Sequence, residues 1–236
     1  MMQRLDKWLC DRTPFSRREI KDKIKNGKVS VNGQIVTQAD AHIVGTDAVT
    51  LDGAALTADR HIYIMLNKPQ GVVSVSNAPN DRTVLDLLPA SLRRSGLFPA
   101  GRLDRDTTGF VLITDDGDFA HRILSPRRHV VKTYTVTLRD AVQECYDQAF
   151  LNGLVLADGT QCLSADLVRT DDPHRVVVRL REGRYHQVKR MFASLGNQVT
   201  ALHRDAIGGL PLDPTLQEGE CRLLTAQEVE QIAKGS

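Results

Sequence analysis

Long apolar runs and paired cysteines are missing from this chain of 236 residues. No stretch approaches the roughly 18 consecutive apolar residues of a membrane-spanning helix, and the first residues lack the apolar centre of a secretory signal. The four cysteines lie far apart and form no Cys-x-x-Cys pair, which argues against a zinc site and against a disulfide framework. These absences predict a cytosolic protein with reduced thiols and no membrane contact.

Common nucleotide and metal motifs are also missing. The sequence has no G-x-x-x-x-G-K-[ST] phosphate loop, no H-E-x-x-H helix and no Rossmann glycine pattern. Asp115, Asp116 and Asp118 are close in sequence, but they lack the spaced ligands and closing glutamate of a calcium loop. A turn with a helix cap is therefore predicted there, and neither a cofactor nor a metal is expected.

Positive charge is concentrated at one end of the chain. Residues 1–30 carry nine Lys or Arg against four Asp or Glu, a net charge of +5, although the whole chain carries only +2. The composition, 41% hydrophobic and 25% charged, is that of a globular protein. The basic segment indicates contact with phosphate, although a solvated helix face would have the same composition.

Residues 1–58 predict a small domain made of two helices followed by a short sheet. Ser16 and Glu19 have the spacing of a capping box, and the helix that they open has one apolar ridge and one basic face. Asn32-Gly33 is a strong hairpin signal between alternating residues. The basic side chains predicted to bind RNA here are Arg17, Arg18, Lys21, Lys25 and Lys28.

Residues 59–236 predict a second, larger domain of the α+β class. Alternating and apolar segments predict strands, while an apolar stripe that ends at Gly196 predicts a helix over 186–195. Thr225 and Glu228 repeat the capping-box spacing and predict a C-terminal helix. The predicted strands are 62–66, 110–114, 130–138, 175–180 and 199–202.

The densest group of polar residues is GRLDRDTTG, residues 101–109. Arg102 and Arg105 flank Asp104 with positive charge, which keeps a carboxylate ionised and also attracts phosphate. An ionised carboxylate acts as a nucleophile or a base. A plain turn, in which Asp and Thr cap backbone amides, has the same residue types, so the spacing alone leaves both interpretations open.

Two further segments are candidates for RNA contact. Residues 181–190, REGRYHQVKR, form a cationic loop that leads into an amphipathic helix, where backbone amides and Arg or Lys favour anions; a solvated basic face is the alternative. Tyr134 shares a strand face with apolar residues and is interpreted either as a core residue or as an aromatic that stacks on a base. Residues 119–139 contain no acid, which adds a positive stretch around Arg127 and Arg128.

Several of these segments resemble known proteins. RLDKWL and SRREIKDKIKNGKVSVNGQIV resemble an S4 RNA-binding domain, and FPAGRLDRDTTGFVLITDDGDFAHRILSP resembles the catalytic motif of the RsuA-type pseudouridine synthases. KTYTVTL, EGRYHQVKRMF and LHRDAIGGL follow in the order of that family. The resemblance implies an S4 domain tethered to a synthase domain built on a long, mixed, mainly antiparallel sheet with a cleft across it.

The resemblance also implies a role for individual residues. Asp104 matches the catalytic aspartate, Tyr134 the active-site tyrosine, and Lys189 the basic residue that pairs with the aspartate. Phe192 falls where related synthases carry an aliphatic residue that packs at the site. The cations of this domain expected to bind RNA are Arg102, Arg127, Arg128, Arg184, His186 and Arg190.

The implied activity is the isomerisation of one uridine of 16S small-subunit ribosomal RNA to pseudouridine, without cofactor or metal. The segment GRYHQVKRM favours small-subunit over large-subunit members of the family. The partner is expected to be 16S rRNA or a small-subunit assembly intermediate, bound by a monomer. The alternatives are a 23S synthase, a non-catalytic S4-type ribosome-assembly factor, and a metal-dependent nuclease using Asp104, Asp106, Asp115 and Asp116.

Overall fold

The computed structural model describes residues 2–56, 61–125 and 130–234. The chain divides into two compact units, Met1–Ile62 with Leu88–Leu97 and Tyr63–Leu87 with Phe98–Ser236. The predicted boundary between residues 58 and 59 lies outside the described residues and stays a prediction. No sequence pattern had indicated that Leu88–Leu97 belongs with the first unit. No helix within the described ranges is long and apolar enough to cross a membrane.

The first unit contains two helices and two small sheets. One sheet has the strand order β3-β2-β5-β6, and the other pairs β1 with β4. The elements are β1 (Gln3–Arg4), α1 (Leu5–Cys10), α2 (Arg17–Lys25), β2 (Val29–Val31), β3 (Gln34–Ile35), β4 (His42–Ile43), β5 (Val49–Leu51) and β6 (Ala54–Leu56), with a 3₁₀ turn at Ala90–Leu92.

Local sequence signals explain the first unit well. The Ser16 backbone N–H donates to Glu19 Oε2 at 2.8 Å and the Glu19 N–H donates back to Ser16 Oγ at 3.4 Å, which confirms the capping box of α2. Asn32 and Gly33 both have positive φ, as a tight hairpin between β2 and β3 requires. Ile20 and Ile24 of α2 are fully buried in the core of this unit, so the opposite, basic face of the helix is left to solvent.

The second unit is built on one large sheet. Its elements are β7 (Tyr63–Lys68), β8 (Phe98–Pro99), β9 (Thr108–Thr114), α3 (Gly117–Leu124), β10 (Lys132–Leu138), α4 (Cys145–Asn152), β11 (Asp166–Arg169), β12 (Arg175–Leu180), α5 (Gln187–Ser194), β13 (Val199–Ile207), β14 (Leu210–Pro211), β15 (Cys221–Leu223) and α6 (Ala226–Lys234).

The main path through this sheet is β11-β12-β10-β13-β9-β7-β15, with β14 paired to β13 and β8 paired to β9. Only the pairing of β13 with β9 is parallel among the described strands. The predicted α+β class and the long, mixed, mainly antiparallel sheet are therefore confirmed. All five predicted strands are present, although β13 continues to Ile207 instead of ending at residue 202.

The helix caps of this unit also follow the predicted pattern. Asp116 caps α3, accepting a hydrogen bond from the Phe119 N–H at 2.9 Å, so the turn and cap predicted for this acidic segment are confirmed. Thr225 and Glu228 exchange hydrogen bonds at the start of α6, where the Thr225 N–H donates to Glu228 Oε2 at 2.8 Å. These caps satisfy backbone groups that a helix end otherwise leaves unpaired.

Candidate active site

A cleft of about 670 Å³ opens on one face of the large sheet. Lys132 and Tyr134 lie two apart on β10 and therefore on the same face, and Tyr134 is in register with Arg204 on β13. The remaining walls come from the loop before β9 and from the turn that leads into α5. The sheet thus brings together three segments that are far apart in sequence.

A buried lysine, Lys68, binds the backbone of the loop that carries Asp104. Lys68 Nζ donates to the backbone oxygens of Thr107 at 2.7 Å, Pro69 at 3.0 Å and Arg105 at 3.3 Å. Burial lowers the pKa of Lys68 to about 8. Because one ammonium binds carbonyls of two loops, the backbone that follows Asp104 is fixed relative to the end of β7.

Asp104 meets two basic side chains from the start of α5. Lys189 Nζ lies 3.1 Å from Asp104 Oδ2, and His186 Nε2 lies 3.4 Å from Asp104 Oδ1. Lys189 also donates to Asp106 Oδ1 at 2.6 Å. Burial alone would lower the pKa of Lys189, but the hydrogen bonds to Asp106 and Asp104 outweigh it and raise this pKa. Lys189 is therefore a cation at neutral pH, set between two carboxylates.

A small polar network shapes the turn before α5. Buried Glu182 accepts from Gln187 Nε2 at 2.6 Å and from Arg184 Nε at 2.9 Å. The Arg184 N–H donates to Gln187 Oε1 at 2.9 Å. His186 has a φ of 48°, in the left-handed region that side chains rarely adopt. The network stabilises this strained turn, and the turn directs both His186 and Lys189 to Asp104.

Tyr134 is largely buried and also lines the cleft, so its position fits both interpretations of this residue. The aliphatic side chain from α5 that lines the cleft is Val188. Phe192, one helical turn further on, is fully buried and packs on Phe150 of α4, with ring centroids 5.0 Å apart. The role implied for Phe192 is thereby corrected, because that residue belongs to the core under α5.

The cations expected to bind RNA in the second unit fall into three groups. Arg102 and Arg184 are exposed and line the cleft together with His186. Arg190 does not line the cleft and is paired with Asp158 at 2.5 Å. Arg127 and Arg128 lie outside the described residues, and their role stays a prediction.

In the first unit all five predicted cations are exposed. Arg17 lies 3.4 Å from buried Asp6, which also pairs with Arg4. The other four have no ion pair among the described residues, and they extend from α2 to the start of β2: Arg18, Lys21, Lys25 and Lys28.

Sequence patterns did not indicate three residues that the structure places in or beside the site, and they indicated a fourth, Asp106, only as a metal ligand of the nuclease alternative. Lys68 and Arg204 are fully or nearly fully buried, Lys132 lines the floor of the cleft, and Asp106 shares Lys189 with Asp104. Lys132 lies within the acid-free stretch 119–139. A charged residue inside an apolar strand pattern is a usable signal, because such residues are rarely buried without a reason.

The acidic residues near the cleft, in the part of the chain that the structure describes, do not form a donor set for a metal. Within the described ranges, no group of three or more His, Cys, Asp or Glu is placed to hold a metal ion. Of the four aspartates in the nuclease alternative, Asp104 and Asp106 share Lys189, whereas Asp116 caps α3 and accepts from the Tyr63 hydroxyl at 2.6 Å. The geometry therefore does not support the ligand set which that alternative requires.

Comparison with known families agrees with this architecture. The family model described as RNA pseudouridylate synthase matches residues 62–194, and the S4 domain model matches residues 3–49. The chain belongs to the RNA pseudouridylate synthase family and carries an N-terminal S4 domain. The resemblance stated from the sequence motifs is thereby confirmed.

Individual relatives match over nearly the whole chain. The ribosomal small subunit pseudouridine synthase A of Haemophilus influenzae is 41% identical over 98% of this chain and 100% of its own length. The protein of the same description from Escherichia coli is 42% identical, covering 97% of this chain and 99% of its own. A crystal structure described as a pseudouridylate synthase has 42% identity and a TM-score of 0.69, over 97% of this chain and 99% of that one.

Proposed function

We propose that this protein isomerises a specific uridine of 16S small-subunit ribosomal RNA to pseudouridine, with Asp104 as the catalytic carboxylate. The observation that carries the proposal is the contact of Lys189, at 3.1 Å, with Asp104, which lines the same cleft as Tyr134. Near-full-length relatives named ribosomal small subunit pseudouridine synthase A support the choice of 16S over 23S RNA.

The reaction breaks the N1–C1′ bond of uridine, turns the base and joins C5 to C1′. It needs no redox change and no outside group. Asp104 attacks C1′, adds to C6 of the base, or removes a sugar proton to give a glycal, and each route starts from the same ionised carboxylate. Lys189 pairs with that carboxylate and orients it.

The target uridine has to leave its stack, which costs a few kcal/mol. Tyr134 stacks on the extruded base, while binding of the surrounding backbone offsets the cost. Arg102, Arg184 and His186 contact RNA at the cleft. The further cations in this proposal are Arg127, Arg128 and Arg190 in the second unit and Arg17, Arg18, Lys21, Lys25 and Lys28 in the first.

The two parts divide the work in this proposal. An S4 domain of residues 1–58 holds the RNA, and a synthase domain of residues 59–236 performs the reaction. The protein acts as a cytosolic monomer on 16S rRNA or on a small-subunit assembly intermediate.

Mapping of pseudouridine tests the proposal directly. Carbodiimide labelling and primer extension on 16S and 23S rRNA, from cells with and without this protein, should reveal one 16S position that depends on it. Loss of a 23S position instead would favour a large-subunit synthase. If every position persists, and an assembly defect is rescued by an Asp104→Asn variant, the non-catalytic assembly factor would be favoured.

A further inference from the structure

Two buried cations line the cleft, and neither is the Lys189 that contacts Asp104. Lys132 on β10 is 8% exposed and Arg204 on β13 is 4% exposed, and both line the cleft. Arg204 is in register with Tyr134, and Lys132 lies two residues before Tyr134 on the same face of β10. The two positive groups thus flank the aromatic ring at the floor of the cleft.

Neither cation is matched by a carboxylate among the described residues. Arg204 Nε donates to the Phe110 carbonyl at 2.7 Å, but its buried Nη2 has no hydrogen-bond partner. Lys132 has no hydrogen bond or ion pair among the described residues. Its pKa is lowered to about 8, mainly by burial and to a smaller extent by the positive charge of Arg204. A buried donor without a partner costs about 1–3 kcal/mol. Such groups persist where a ligand supplies the missing acceptor.

The depth of these cations indicates which part of a nucleotide they meet. Arg102 and Arg184 are exposed where they line the cleft, which suits the phosphates of the RNA backbone. A nucleotide that enters by extrusion of its base brings the base deepest. The deepest acceptors are then the carbonyl oxygens O2 and O4 of uracil.

We propose that Lys132 and Arg204 bind the carbonyl oxygens of the reacting uracil and stabilise the negative charge that the base acquires during isomerisation. This inference rests on the proposed function and extends it to a second cationic group. Lys189 pairs with the carboxylate of Asp104, whereas Lys132 and Arg204 bind the uracil base.

The electron balance supports this division in every route open to Asp104. When the carboxylate forms a bond to C1′, the N1–C1′ bond breaks and its electron pair stays on the base, delocalised to O2 and O4. C5 then attacks C1′, the carboxylate leaves, and C5 loses its proton while N1 gains one. In the glycal route the carboxylate takes the C2′ proton, the C2′–H pair forms the C1′=C2′ bond, and the base departs with the same N1–C1′ pair. The C1′=C2′ pair then takes the proton back at C2′ while C5 bonds to C1′, and C5 loses its proton while N1 gains one.

Addition to C6 places charge on the same atoms. The carboxylate forms a bond to C6, and the C5=C6 pair shifts to an enolate whose charge lies on O4. C5 then attacks C1′, and the N1–C1′ bond breaks with its electron pair left on N1, which takes up a proton. The carboxylate leaves C6 as C5 loses its proton, which restores the C5=C6 bond. Donors held in place where charge develops are worth more than donors that must reorganise, because they need no rearrangement during the reaction.

The first test is single-turnover kinetics of full-length Lys132→Met on a 16S fragment whose target uridine has been mapped. We expect the rate constant to fall about 10²- to 10³-fold, the loss typical of one oxyanion donor, while the Kd for RNA changes less than about threefold. Lys132→Arg should restore most of the rate. Arg179→Met removes an exposed cation from β12, in register with Thr133, and is the matched control with unchanged rate.

The second test identifies the atom that is contacted. Sulfur is a poorer hydrogen-bond acceptor than oxygen. Replacing either O2 or O4 of the target uracil by sulfur should lower the single-turnover rate of the wild type, for one of the two atoms. The same replacement should not lower the rate of Lys132→Met. Such non-additivity is the signature of a direct contact. A weaker Kd with a salt slope smaller by about 0.9, the change expected for one phosphate, would instead assign Lys132 to the RNA backbone and overturn the proposal.

Two controls keep the outcomes separate. Thermal unfolding of Lys132→Met should show no loss of stability; a lower melting temperature with a reduced rate that Lys132→Arg does not restore would mean a structural role and overturn the inference. Arg204→Lys keeps a cation at the second position and should retain more rate than Arg204→Met. If the wild type forms no pseudouridine, the proposed function is wrong. If the wild type is active and Lys132→Met is equally active, only this inference is wrong.

Discussion

At the scale of single residues, one ammonium group contacts two carboxylates that differ in their exposure to solvent. Lys189 lies between Asp104, whose side chain is 26% exposed, and Asp106, whose side chain is 69% exposed. Only Asp104 lines the cleft, and the hydrogen bond from Lys189 lowers the pKa of Asp106. Burial and position therefore separate two acids that look equivalent in the sequence RLDRD.

Substitution of each acid by its amide tests that difference. We expect Asp104→Asn to lower the single-turnover rate at least about 10⁴-fold, because it removes the reacting group, while the Kd for RNA is retained. Asp106→Asn is the matched control and should lower the rate less than about tenfold, since Lys189 keeps its contact with Asp104. Rates are followed by pseudouridine formation in the 16S fragment, and Kd by filter binding. Equal loss of rate and binding in Asp104→Asn would contradict a chemical role.

At the scale of elements, the parallel contact of β9 with β13 sets the position of the catalytic loop. Gly109, just after that loop, is in register with Arg204 and has a φ of 100°. A Cβ atom at Gly109 would lie 2.4 Å from the Arg204 carbonyl oxygen. The close approach of the two strands therefore depends on the missing side chain.

Gly109→Ala should consequently lower the free energy of unfolding by at least about 2 kcal/mol, through the clash and the unfavourable φ. The loop with Asp104 should shift, so the residual folded enzyme should also be slower. Gly117→Ala is the control, because Gly117 has open space around its Cβ position and no positive φ. Urea unfolding and kinetics of both variants provide the comparison, and equal stabilities of the two would contradict the close approach.

At the scale of the whole molecule, positive charge is divided between the two units. The exposed cations of α2 and the following turn lie opposite a fully buried apolar ridge. Deleting residues 1–58 would also remove packing partners of Leu88–Leu97, since Ser95 Oγ donates to the Cys10 carbonyl at 3.2 Å. Substitution in the full chain is therefore the cleaner way to test RNA binding by the first unit.

The triple variant Lys21→Gln, Lys25→Gln and Lys28→Gln should bind 16S RNA more weakly and with a flatter salt dependence. The slope of log K against log salt should decrease by up to about 0.9 for each phosphate that the variant no longer binds. Arg139 and Arg169 are already paired with Asp140 and Asp147, so Arg139→Gln with Arg169→Gln is a suitable control. An unchanged salt slope in the triple variant would refute a role of this face in binding.

The buried cations also affect the stability of the whole chain through pH. The pKa of Lys132 is about 8 in the folded protein, against an ordinary value of 10.5. Between these values the unfolded chain binds more protons, so stability rises with pH there; below pH 8 the full penalty is present. We expect Lys132→Met to be more stable than the wild type at pH 7, by at most about 3 kcal/mol. Denaturant titrations should show that this difference shrinks as the pH rises from 8 to 10.5.

Much of the fold followed from local signals. The capping residues Ser16, Glu19, Thr225 and Glu228, and the hairpin residues at 32 and 33, act over a few residues, so their effect can be read without tertiary information. Asp104, Tyr134 and Lys189 were selected through the family resemblance, and the structure brings them into one region. Lys68 and Arg204 were missed because carbonyls that they bind, those of Arg105, Thr107 and Phe110, belong to distant segments.

The sequence by itself determined the helix starts, the hairpin, the basic face of α2 and the family of the chain, because these depend on short-range chemistry and on motif order. Only the tertiary structure decided which cations are paired, which acid faces the cleft, and that Val188 lines it while Phe192 lies in the core. The physical reason is that burial and electrostatic pairing depend on strands and loops far apart in the chain, which the large sheet brings within a few ångströms of one another.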